Sequence, residues 1–398
     1  MQRIMTTHAF ARRLQSRRFR IACGIVLGAL IAGLAYVVLF NRGKDYDRMN
    51  MSCFAYRDVN RNGIYDLGDR PYAGLKIGMD RPRGGQVKSR SNLAGFTNFQ
   101  MSLANDDYDI YSPGDHTITV EPPDDWIVTT GNDVQTVTFR EFEEAPVGMV
   151  ANRTYEHVGV APKLSILGSV KIDHANPEYA IENFEATSPQ GEVSQVQLSD
   201  AGNFSFAASP GAWKLELTTE NGPSISRELM VTAYPLVVSQ IDPGHVQRTK
   251  LSQLRRVGFD DLTSSDTLYE IPSGYSGLNW NNWVATHHKF YRKASHINGT
   301  ISSEFLAYTS SGHPAVIWSE RAIDFVGAYL SMTWPEGEDH DLIIKAWRNG
   351  ELAYEDRLRA SAKGPIYFAA DYRGITKIEF SNEAYWHAAI DDFEYRAD

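Results

Sequence analysis

Across 398 residues the chain is 42% hydrophobic and 22% charged, with two cysteines. That length suits two or three domains with cores of their own, and the composition excludes a disordered chain and a disulfide-stapled scaffold. The formal charge of −10 conceals an asymmetry, because Arg3, Arg12, Arg13, Arg17, Arg18 and Arg20 lie in a first stretch of forty residues that holds no acid. The remainder is therefore strongly acidic and repels phosphate, which excludes nucleic acid as a partner.

Residues 1–20 read as a basic cytoplasmic tail and residues 21–40, IACGIVLGALIAGLAYVVLF, as a transmembrane helix. Twenty uncharged residues at about 1.5 Å each span roughly 30 Å, the hydrocarbon thickness of a bilayer. Arginine-rich sequence lies on the N-terminal flank only, which places the N-terminus in the cytoplasm and the body beyond the membrane, in the periplasm or at the cell surface. A cleaved signal peptide is the alternative, with a small-x-small site at Gly33-Leu34-Ala35, although five apolar residues follow it. Cys23 and Cys53 fall on opposite sides of the apolar span and are not expected to pair.

Beyond the span the chain reads as mainly β. Short alternating runs such as HTITVEPP, WKLELTT, ELMVTAY, DLIIKAW and KIEFSN recur between Gly, Pro, Asn and Asp, the pattern of antiparallel sandwiches. Three modules are expected at residues 50–140, 161–240 and 256–398, with linkers near 141–160 and 241–256. The first two share an echo: Asn92-Leu-Ala-Gly95-Phe-Thr-Asn-Phe99 matches Asp200-Ala-Gly202-Asn-Phe204-Ser-Phe206, and each precedes a Pro-Gly turn, Pro113-Gly114 and Pro210-Gly211. Two copies of one small sandwich are expected.

The sharpest motif is Asp58-Val-Asn60-Arg-Asn62-Gly63-Ile64-Tyr-Asp66-Leu-Gly-Asp69. Oxygen side chains fall at positions 1, 3, 5, 9 and 12 of a twelve-residue calcium loop, Gly at 6 and the Ile64 carbonyl at 7. A hard cation takes six to eight oxygens, and alternate residues of a tight loop supply them. Asp69 stands where Glu is usual, and its shorter arm weakens bidentate ligation. The flanking CFAYR and AGLKIGM read as strands, so this is no helix-loop-helix sensor; an ion-free Asn/Asp/Gly turn is the plain alternative.

FAYRDVNRNGIYDLGDRPYAGLKI, with NLAGFTNFQMSL and SPGDHTITVEPPDDW downstream, resembles the B-type repeat of Sdr-type bacterial surface proteins, the SdrD B-like domains, over about 52–140. The resemblance implies a prealbumin-like sandwich stiffened by calcium, with Asp58, Asn60, Asn62, Asp66 and Asp69 as ligands, serving as a stalk. LSILGSVKI and DAGNFSFAASPGAWKLELT are similar to carboxypeptidase-regulatory or Ig-like spacer modules. The last module opens on Phe259-Asp260-Asp261, passes through Gly274-Tyr275-Ser-Gly277-Leu278-Asn-Trp280 and closes on Asp391-Asp392-Phe393. That order looks like the galactose-binding-like jelly rolls of exported bacterial proteins.

First and last strands of a jelly roll lie side by side. Asp260, Asp261, Asp391 and Asp392 are then expected to be neighbours able to hold a second calcium, unless alternation turns half of them to water. Aromatics gather at Tyr275, Trp280 and Trp283 and at Tyr385, Trp386 and His387, with Asn279, Asn281 and Asn282 nearby. Tyr275, Trp283, Asn281, Asn282 and Trp386 are candidate glycan contacts; packing into a core is the competing use of the same rings. No catalytic constellation stands out. His287-His288, His296, His313 and Asp339-His340-Asp341 lack a recognised ligand spacing and read as solvated loop residues. The sequence thus predicts a non-enzymatic, membrane-anchored surface protein: a calcium-stiffened β stalk presenting a jelly roll to a glycan or another protein. A structural subunit of an envelope assembly is the alternative, and a glycan hydrolase the more distant one.

Overall fold

The computed structural model describes residues 52–82, 84–99, 113–141, 149–173, 175–245, 248–288, 298–302, 304–311, 313–334, 340–385 and 387–398. The expected membrane span at 21–40, Cys23 and Trp386 lie outside these residues. Among the described residues no helix is long and apolar enough to cross a membrane. The architecture is mainly β, built from several sandwiched sheets. All five alternating runs quoted above become strands.

The first two modules repeat one topology. In the first, Ser52–Arg57 pairs antiparallel with Phe96–Asn98 and parallel with Val158–Pro162. In the second, Ser165–Ser169 pairs antiparallel with Asn203–Ala207 and parallel with Leu236–Val238. Each faces a second sheet whose central strands, Gly114–Glu121 and Gly211–Thr219, begin at the Pro-Gly turns. The echoed glycines have one physical cause. Gly95 and Gly202 adopt φ of 79° and 77° at the turn, and a Cβ would lie 2.4 Å from the Ala55 carbonyl oxygen or 2.1 Å from that of Val170. Only glycine accepts both the left-handed backbone and the close approach.

Two expected linkers are structural instead. Residues 141–160 contribute Met149–Ala151 and most of Val158–Pro162, the latter buried throughout. VGVAP carries no alternation because both of its faces are covered, as is usual for a strand paired in parallel. The first module therefore runs to Pro162. Similarly, Ile241 bridges to Val170, and Gln253–Val257 is the first strand of the third module.

That strand pairs antiparallel with the last one, Ala388–Ala397, bringing Val257 opposite Phe393. Two long strands, Ala315–Met332 and Ile366–Ser381, pair through repeated register shifts. Such bulges bend strands, and here the sheet curls around one aromatic-rich core. The second and third modules are not separate bodies. Leu236–Val238 pairs in parallel with Tyr367, Phe368 and Ala369, so one ladder of thirteen strands runs through both.

Candidate functional site

The 58–69 loop leaves the buried strand Ser52–Arg57 and is pinned where it starts, the Asp58 amide donating to the Val160 carbonyl at 3.0 Å. Asp58, 1% exposed, accepts the amides of Asn62 and Gly63 at 3.2 and 2.8 Å. Asp69 accepts those of Val59 and Asp66 at 2.9 and 3.1 Å. The first and last carboxylates thus clasp the loop's own backbone, while Gly63 at φ 74° makes the sharp turn. Asn60 and Asn62 both donate side-chain N–H groups to Asp66, at 3.1 and 2.7 Å. The residues at positions 3, 5 and 9 therefore already converge. Burial, with the charges of Asp58 and Asp66, raises the Asp69 carboxyl against the pull of its amide bonds. Burial and the same three carboxylates push the Tyr56 phenol up to about 12. The Oδ1 atoms of Asn60 and Asn62 accept the amides of Asn62 and Ile64 at 3.1 and 2.7 Å, so a hard cation, which takes oxygen ligands, would need both side chains to turn their oxygens toward Asp66.

The four aspartates of the third module do other work. Asp391, 1% exposed, accepts three backbone amides: Ile301 at 2.7 Å, Ser302 at 3.1 Å and Asp392 at 2.8 Å. Asp392 takes the Ser302 hydroxyl at 2.9 Å, and Asp260 takes the amides of Glu304 and Phe305 at 2.9 and 3.1 Å. Asp261 points elsewhere, to the Tyr275 hydroxyl at 2.5 Å. Burial and the Asp392 charge push the Asp391 carboxyl well above the usual range, opposed by its amide donors. Three of these residues fasten segment 301–305 to the ends of the module, with Asp260 close enough for its charge to act on Asp392, and Asp261 fastens the Tyr275 turn.

Trp283 is not free to serve an aromatic platform. Trp283 is 1% exposed, with its ring edge-on to Phe380 at 5.4 Å and to Trp280 at 6.3 Å. Trp280 packs on Phe259 and Phe393. Tyr275 lies half-buried against Phe259, and burial with its Asp261 bond raises its phenol. Asn282, at φ 63°, donates to the carbonyls of His313 and Pro314 and accepts from Ser310 and Ser311. It shapes a turn and offers no free amide arm. Asn281 is exposed on the short strand Asn279–Asn281. A sugar stacks on an open ring face, and Trp283 has none.

Two constellations were not anticipated. One is a junction of all three modules. Arg57, 2% exposed, donates to the carbonyls of Asn298 and Thr300 at 2.7 and 2.5 Å, and its guanidinium sits 5.4 Å from the centre of the Tyr234 ring. Asn298 answers by exchanging two bonds with the Ala73 backbone. The other is His287, His288 and Glu304, whose ligand atoms all lie within 4.8 Å of one another. Sequence distance hides the first, since Arg57 and Asn298 stand 241 residues apart.

No family model matches the chain, and no curated protein matches it. Among solved structures it is similar to the Bacillus anthracis TIE protein, at 12% identity over 48% of this chain and 33% of that one with a TM-score of 0.21. It is likewise similar to GBS52, the minor pilin of Streptococcus agalactiae, at 10% identity over 51% of this chain and 98% of that one, TM-score 0.18. The shaft pilin SpaA from Lactobacillus rhamnosus GG gives 8% identity, 50% and 100% coverage and a TM-score of 0.22. The match thus spans a third of the first of these, and superpositions at such scores carry no argument about fold or role.

Proposed function

We propose that this chain is a membrane-anchored structural protein of a bacterial envelope, whose three β modules act as a single rigid head outside the membrane. The observation that carries the reading is the joining of the modules, through the shared ladder at Leu236–Val238 and the buried Arg57 junction. A stalk presenting its last module needs that module free. Here it packs back on the first, with Asn298 bonded to Ala73 and the Trp126 ring against Gly364. Burial of Trp283 removes the main argument for a glycan platform and favours the mechanical role, without catalysis. Residues 21–40 would supply the anchor, leaving 1–20 in the cytoplasm. The test is external proteolysis of intact cells or spheroplasts. Digestion of the body with retention of an N-terminal fragment in the membrane pellet supports the reading, and a lipid-free, protected cytosolic chain overturns it.

Calcium belongs to the same proposal. Asp58, Asn60, Asn62, Asp66, Asp69 and the Ile64 carbonyl would hold it, drawing the first strand and the start of the next into one stiff unit. A site filled at a hundred times its Kd stabilises by about 2.7 kcal/mol, so a chelator is expected to lower the melting temperature of the calcium-loaded protein. Asp66→Ala, which keeps the amide clasps made by Asp58 and Asp69, is expected to abolish that response. A chelator without effect on the unmodified protein removes the ion from the account.

A further inference from the structure

We propose that His287, His288 and Glu304 form a binding site for a divalent transition metal of the zinc class, separate from the 58–69 loop. The site is made by a strand end. Trp283–His287 pairs with Phe305–Thr309, placing His287 opposite Phe305, and the His288 amide continues the ladder to the Glu304 carbonyl at 2.9 Å. Within a strand, successive side chains point to opposite faces. The strand ends at His287, however, and the two imidazole rings come together with centroids 4.6 Å apart. The Glu304 carboxylate reaches the same place, its Oε2 lying 2.5 Å from His287 Nε2.

Two imidazoles and one carboxylate suit zinc and its first-row neighbours, and among the described residues these three ligands leave one position of a four-coordinate ion for a further group. Calcium takes oxygen ligands and is not served by such a set. Supporting contacts are present. Asp260 accepts the amides of Glu304 and Phe305 and so fixes the backbone that carries the carboxylate, while His287 lies edge-on to Phe305 at 5.1 Å. Partners of this kind hold ligands in place around metals. The surroundings set where the open position faces. His288 and Glu304 line a cleft of about 660 Å³ whose opposite wall is Leu67, Asp69 and Arg70 of the first module. A metal bound here would stand at the seam between the first and third modules, accessible to a small ligand or to an added side chain.

The experiment is titration of the full-length chain with Co2+ in excess Ca2+, which occupies the 58–69 loop if that loop binds it. One equivalent is expected to bind with the intense visible bands of a low-coordinate complex, and Zn2+ is expected to displace it. His288→Ala and Glu304→Gln should each weaken binding by at least about tenfold, whereas Asp66→Ala should leave it unchanged. His287→Asn, the more conservative change, provides the same reading if His288→Ala does not fold, as judged by circular dichroism. Absence of saturable binding overturns the proposal, and so do folded triad variants that bind Co2+ as the unmodified chain does. Loss of binding in Asp66→Ala would assign the metal to the loop instead.

Discussion

The unmodified body is expected to melt in one thermal transition, and Arg57→Ala to split it into at least two, with the first module melting earliest. The side chain makes two charge-assisted bonds to buried carbonyls of the third module, each worth about 1.5–3 kcal/mol. It also lies over Tyr234 of the second module, which is itself 4% exposed. Truncation leaves both carbonyls facing a space too enclosed to hydrate well, so a total loss of roughly 3–5 kcal/mol is expected. Arg57→Lys keeps the charge but cannot reach two carbonyls in a fixed fork, and it should fall between the two. Calorimetry reads both variants. A melting profile identical to that of the unmodified protein would mean that the three modules are not coupled at this point.

Trp283→Ala is expected to destabilise the third module by about 3–5 kcal/mol, the range for removing a large buried aromatic. In a body of this size that melts as one, the loss corresponds to a melting shift of about 5 °C. The ring begins a chain of edge contacts that runs through Trp280 to Phe393, and Phe393 stacks on Phe325 at 4.8 Å, so a cavity there loosens both layers. Trp283→Phe should cost much less, because the indole N–H is buried with no hydrogen-bond partner and its removal loses no bond. Trp318, 41% exposed on the same module, provides the contrast: Trp318→Ala should stay within about 0.5 kcal/mol. A Trp283→Ala protein that melts normally but loses a glycan would restore the sugar platform.

Legibility in the sequence followed the range of the interactions. The 58–69 motif is local, and its glycine, its alternating oxygens and its turn all appear where spacing places them. The duplicated sandwich was visible because Gly95 and Gly202 answer the same steric demand in the same turn. Adjacency of the module's first and last strands was expected from its likeness to a jelly roll, and the pairing of Gln253–Val257 with Ala388–Ala397 shows it. Other features depended on partners far along the chain. VGVAP read as linker because a strand covered on both faces carries no period-two signal. Trp283 is equally plausible as core or as platform until its neighbours Phe380 and Trp280 are known. His287 and His288 read as solvated loop residues because no recognised ligand spacing marks them, and only the end of a strand and its register with the segment at Glu304 join them. Arg57 sat unremarked inside CFAYR, although a cation in the last place of an otherwise buried strand is the kind of residue that needs a distant acceptor.

The central claim is that the modules form one body, and small-angle scattering of residues 52–398 measures this most directly. A fused head predicts a radius of gyration near that of a compact chain of this length, about 20 Å. Three modules strung end to end as a stalk would give a value above about 30 Å with an elongated distance distribution, and that result would contradict the account.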